Sequence, residues 1–318
     1  MNLLIKRILS KIFKVRRNKK NILLREIAKQ SDSLTLLDIG SAGDIEPRWL
    51  PIAETLNYIG VEPDKRSSCL LSNLHNCNNY KIINSVIWSE KKELSFNLCR
   101  KPQVSSVFRP NTELLDRFPQ ADRFDIVNTV SFESSTLDVE LGNIQVDFVK
   151  LDIQGGELFA LKGMQNNLSS CLGLEIEVEF SSLYERQPLF GEIYDYLNDF
   201  GFVFIDFTNL TRWERNDHNS YYGQCIFGDG LWMRSPEDVA EKFPNKCLKY
   251  ILVCSLYGRY DLVSKIIEII KPKLSKNFIT TLNNLMKHQN KTRKTNFLFN
   301  YLIKFIAGES TIRTHLIY

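Results

Sequence analysis

Residues 34–47 read LTLLDIGSAGDIEP, an apolar run set directly against an Asp-x-Gly-x-x-Gly turn. The run predicts a strand, and Gly40 and Gly43 predict a turn whose backbone can approach a ligand closely. The dinucleotide fingerprint G-x-G-x-x-G has a glycine where this turn has Asp38. That substitution changes the ligand. A carboxylate repels a pyrophosphate and attracts a positively charged amino group.

A second acid follows at the expected distance. Glu62 ends the strand-like NYIGVEPD, roughly 20 residues on, where nucleotide folds place an acid on ribose hydroxyls. Two acids at adjacent strand ends suit S-adenosylmethionine, which is cationic, carries a ribose and has no phosphate. In NSVIWSE, Asn84, Ser85 and Ile87 are placed to border an adenine, or equally to pack in a core. Ser105, Ser106 and Asn111, in VSSVFRPN, read as a loop over a pocket with groups for a carboxylate or sugar hydroxyls. Turn chemistry accounts for the same residue types.

Outward from these motifs, apolar runs alternate with helical or turn-rich segments: a helix around residues 46–55, strands in YKIINSVIW and KELSFNLCR, then VDFVKLDIQGGE, CLGLEIEVEF and FVFIDF with helices between. The alternation predicts an α/β fold, a mostly parallel sheet with helices on both faces. Ligands in such sheets sit beyond the carboxyl ends of the strands. Asp152 stands at such an end, in VKLDIQGGE, with Glu157 opening the next helix. In LGLEIEVEF, Glu175, Glu177 and Glu179 share one face of a strand. Carboxylates there must be paired, protonated, metal-bound or at a cleft, or else the face lies in water. Asp152, Glu179 and Glu177 are the candidate catalytic groups, as a general base in preference to an Mg²⁺ site. His218 is a further candidate, in a polar loop.

Composition bounds the rest. The 318 residues carry a net charge of +4 that hides an asymmetry. Residues 1–20 hold eight Lys/Arg and no acid, and residues 271–318 hold nine Lys/Arg and one acid. The middle is left with 24 basic against 36 acidic side chains, net −12. An acidic central domain argues against a nucleic-acid enzyme. Residues 1–30 predict a basic amphipathic helix that docks on protein or lies on an anionic membrane surface. Residues 31–235 predict the α/β domain and 236–318 a helical extension. Seven scattered cysteines without CxxC spacing suggest reduced thiols in the cytoplasm and no zinc site.

The motifs LLDIGSAGD, YIGVEPD, SSVFRPN, KLDIQGGELFALKGM and EIEVEFSSLYERQPLF, in this order over residues 34–235, resemble the FkbM family of methyltransferases. The resemblance implies a Rossmann-like class I methyltransferase sheet of seven strands, the last antiparallel. It also implies S-adenosylmethionine as cofactor and O-methylation of sugar, glycan or polyketide-like hydroxyls. Asp38, Gly40 and Gly43 would line the methionine end, Glu62 the ribose and Asp152 the methyl-transfer face. Two positions depart from the family pattern: Ser41-Ala42 replaces Ala-Asn, and Gln154 replaces the Glu of DxEG. The rival readings are a variant nucleotide-dependent enzyme, and a non-catalytic component of a glycan-assembly system.

Overall fold

The computed structural model describes residues 17–41, 45–63, 74–217 and 222–289. Residues 1–16 of the expected amphipathic helix, Gly43 and His218 lie outside them. Contacts divide the chain into two compact units.

The larger unit, Ser33–Pro47 with Ala53–Val239, is built on ten strands. They are β1 (Leu34–Ile39), β2 (Leu56–Val61), β3 (Asn79–Ile83), β4 (Val86–Ile87), β5 (Glu93–Cys99), β6 (Ile126–Ser135), β7 (Phe148–Leu151), β8 (Gly173–Glu179), β9 (Val203–Trp213) and β10 (Gln224–Met233). Seven form one sheet in the order β3-β2-β1-β7-β8-β10-β9. β1, β2, β3, β7 and β8 run parallel, while β10 is antiparallel to both β8 and β9. This is the seven-stranded, mostly parallel sheet that the resemblance implies.

Burial explains the strand choices. Every residue of β1 and of β8 is buried, the pattern of strands covered on both faces. Leu37, Ile39, Val149, Leu151, Leu174, Ile176 and Val178 share one apolar core. The helix Phe190–Asp199 packs Ile193 and Leu197 into the same core. Strand order reverses between β1 and β7, and ligands of doubly wound sheets gather outside the strand ends at such a point.

Two local expectations change. The run YKIINSVIW is not one strand: Asn84 and Ser85 separate β3 from β4, which pairs with β6 in a second sheet ordered β4-β6-β5. The helix expected over residues 46–55 is a 3-10 turn, Leu50–Thr55. Pro47 and Pro51 leave no room for a longer one.

The smaller unit comprises the described residues of 1–32, 48–52 and 240–318. Helices span 17–28, Cys247–Leu256, Tyr260–Ile270 and 276–289. Leu24, Ile27, Tyr250, Ile251, Val263, Ile266 and Leu282 are fully buried. The Arg48 guanidinium lies 4.2 Å from the Tyr257 ring centre, a cation–π contact. Among the described residues no helix is long and apolar enough to cross a membrane.

Candidate active site

A cavity of about 440 Å³ opens at the ends of β1, β2 and β7. That lies within the range of about 300–1,000 Å³ usual for small-molecule sites. Asp38, Gly40, Glu62, Ser85, Ile87, Ser105 and Asp152 all line it, so seven of the residues singled out in the sequence converge on one space.

The floor is the turn after β1. Gly40 has φ +83°, and a Cβ there would lie 1.8 Å from the carbonyl oxygen of Asp152. Only glycine lets the β1 turn and the end of β7 come this close. The amides of Gly40 and Ser41 both donate to the Val61 carbonyl, at 2.9 and 3.2 Å. These bonds tie the turn to the end of β2, where Glu62 is buried.

Asp38 is buried. The Tyr58 hydroxyl donates to its Oδ2 at 2.9 Å. Its Oδ1 has no hydrogen-bond donor and stands 3.9 Å from Lys150 Nζ. Burial pushes the Asp38 carboxyl above its ordinary range, against the opposing pull of Lys150 and Tyr58. Burial works against the Lys150 charge as well. Asp38, Asp152, Glu175 and Asp229 outweigh it and hold the ammonium protonated well above its ordinary value.

Register carries this polar stripe across the sheet. Asp38 pairs with Lys150, Lys150 with Glu175, and Glu177 with Asp229. Two residues beyond Lys150, Asp152 meets the turn before the helix Glu157–Lys162. Gln154 Nε2 donates to Asp152 Oδ1 and to Glu177 Oε2, each at 2.9 Å. Glu157 Oε1 accepts from the Ile153 amide at 2.8 Å, and burial, the largest influence, moves its carboxyl up to about 7. Burial likewise raises Glu177 and Glu179 well above the ordinary carboxylate range, reinforced by their acidic neighbours. Neither Glu179 oxygen is in a hydrogen bond of good geometry, and the nearby Gln187 offsets the burial only in part.

Several expected placements need correcting. Glu177 and Glu179 do not line the cavity: they sit one strand further from β1, where Glu177 interacts with Asp152 directly and shares the Gln154 amide with it. Ser106 is fully buried; its hydroxyl donates to the Gln154 carbonyl at 2.7 Å. Asn111 is committed elsewhere, accepting from the Leu114 amide as a helix cap and donating to the Ser182 carbonyl. Ser105 and Ser85 line the cavity but are already engaged. Ser105 accepts from the Cys99 amide, and Ser85 donates to Glu140.

Other cavity residues were not singled out from the sequence. Trp88 borders it and stacks on Phe159, ring centres 4.2 Å apart and planes 6° from parallel. Phe96, Val107 and Ile153 complete an apolar wall. These apolar residues carry no local signal that separates them from ordinary core. Among the described residues no three His, Cys, Asp or Glu side chains are grouped to hold a metal ion.

Residues 52–204 match the model of the methyltransferase FkbM domain. The chain carries an FkbM domain and is a methyltransferase. That matched segment holds Glu62, Lys150, Asp152, Gln154 and the β8 acids, while Asp38 and Gly40 precede it. No curated protein matches the chain. Among solved structures, the magnesium protoporphyrin IX methyltransferase from Synechocystis PCC 6803 is 13% identical, with TM-score 0.34 over 74% of this chain and 85% of that one. Precorrin-6y C5,15-methyltransferase from Geobacter metallireducens is 10% identical, with TM-score 0.32 over 68% and 88%.

Proposed function

We propose that the FkbM domain transfers a methyl group from S-adenosylmethionine to a hydroxyl of a sugar, a glycan or a related small molecule. One observation carries this reading: the cavity is lined by buried acids at two adjacent strand ends, beside a turn that only glycine permits. Asp38 is buried with an oxygen that no hydrogen-bond donor satisfies. A cationic ligand group there offsets the cost of that burial, whereas a phosphate would add to it.

The residues present fit the cofactor. Asp38 would hold the amino group, Glu62 the ribose hydroxyls, and Ile87 and Trp88 the apolar base. When bound, S-adenosylmethionine supplies an electrophilic methyl group on a positively charged sulfur. The chain supplies alignment and a proton acceptor. Holding the reacting groups in line is the larger contribution. Asp152, the acid at the cavity end of β7, takes the proton of the acceptor hydroxyl, which is too weak a nucleophile at neutral pH without a base. Phe96 and Val107 add apolar surface to the same cavity.

The test is transfer of isotopically labelled methyl from S-adenosylmethionine into a panel of sugars and glycan extracts. The expected product is an ether-linked methyl, formed by the natural protein and lost in Asp152→Asn. Label found only on nitrogen or carbon acceptors, or formed equally by the variant, contradicts the proposal.

A further inference from the structure

Gln154 holds a backbone conformation that glycine adopts more easily, with φ +59° in the turn after β7. The next residue, Gly155, has φ +99°. A long polar side chain at such a place needs a use, and its contacts supply one. The two hydrogens on Nε2 point to Asp152 Oδ1 and Glu177 Oε2, both at 2.9 Å. The Tyr184 hydroxyl lies 3.0 Å from Gln154 Oε1 and 2.9 Å from the Val104 carbonyl. The Gln154 carbonyl accepts from the Ser106 hydroxyl at 2.7 Å, and both Tyr184 and Ser106 are fully buried.

A primary amide is neutral and carries two donors on one atom. Placed between two carboxylates, it satisfies an oxygen of each without adding charge. Glu at this position would instead set a third carboxylate against them. Of the two acids it bridges, only Asp152 lines the cavity. The bond to Oδ1 fixes the orientation of the Asp152 carboxyl group at the cavity wall.

We propose that Gln154 is a positioning residue that holds the Asp152 carboxylate toward the cavity, and so sets the preference of the site for S-adenosylmethionine over S-adenosylhomocysteine, whose sulfur carries no charge. The inference rests on the cofactor reading above. Its energetic basis is that a hydrogen bond to a charged group, once removed, leaves that group free to turn away.

The experiment is calorimetric titration of both ligands between pH 6 and 8.5, for the natural protein, Gln154→Leu, Tyr184→Phe and Asp152→Asn. Gln154→Leu should weaken S-adenosylmethionine by about tenfold or more and S-adenosylhomocysteine by no more than about twofold. Tyr184→Phe should act in the same direction, more weakly. In the Asp152→Asn background, neither second substitution should alter the ratio of the two affinities. Equal weakening of both ligands, no weakening of either, or an effect that persists in the Asp152→Asn background overturns the assignment. If circular dichroism shows Gln154→Leu unfolded, Tyr184→Phe and its combination with Asp152→Asn decide by the same ratio. A natural protein that binds neither ligand removes the cofactor reading itself, a result distinct from failure at Gln154.

Discussion

Gly40 is the residue on which the geometry of the site turns. Asp38 and Asp152 belong to different strands, and the absence of a side chain at Gly40 lets the ends of those strands touch. Gly40→Ala puts a Cβ 1.8 Å from the Asp152 carbonyl oxygen and forces φ +83° on a residue that resists it. We expect a loss of about 1–3 kcal/mol in urea denaturation, with S-adenosylmethionine binding lost in the fraction that stays folded. Unchanged stability would show that the turn adjusts freely. At this scale the sequence was informative where chemistry and backbone coincide: Asp38, Gly40, Glu62 and Asp152 all fall at strand ends and all line the cavity. It was less informative for hydroxyls and amides. Ser106 and Asn111 have the right chemistry for a ligand but spend it on the protein's own backbone, and nothing in VSSVFRPN distinguishes the two uses.

The element with the largest electrostatic cost is β8. Glu175, Glu177 and Glu179 alternate with Leu174, Ile176 and Val178, and all are buried. The alternation was legible; that none of the three acids lines the cavity was not, because that depends on the turn carrying Gln154. β6 was illegible for a different reason. Its first four residues are exposed and much of the remainder is half-buried, so IVNTVSFESS has no apolar face to announce it. The buried acids also make a prediction about pH. Burial is the main cause that moves Glu157 up to about 7 from an ordinary 4.5, and Asp229 up to about 6 from 3.8. Glu177 and Glu179 are raised in the same direction. The folded state therefore binds these protons more tightly than the unfolded chain, and stability falls as pH rises from about 4 to about 7. The urea midpoint should be higher at pH 6 than at pH 8. Glu179→Gln should raise the midpoint at pH 8 and flatten the dependence. A midpoint that climbs with pH would show that these carboxylates are compensated by partners in the folded protein.

Over the whole molecule, the distribution of charge follows the ligand. The central part of the chain is acidic, net −12, while the basic residues gather at the two ends. A stripe from Asp38 to Asp229 sets several carboxylates around the single ammonium of Lys150. A dinucleotide would bring its pyrophosphate toward that surplus of negative charge; a sulfonium nucleoside brings a cation. The most direct measurement of this claim is calorimetric titration with S-adenosylmethionine, repeated in the presence of saturating NAD. One S-adenosylmethionine should bind per chain, with an affinity that NAD does not change and that Asp38→Asn weakens. Saturable binding of NAD, with no heat from S-adenosylmethionine, would contradict it.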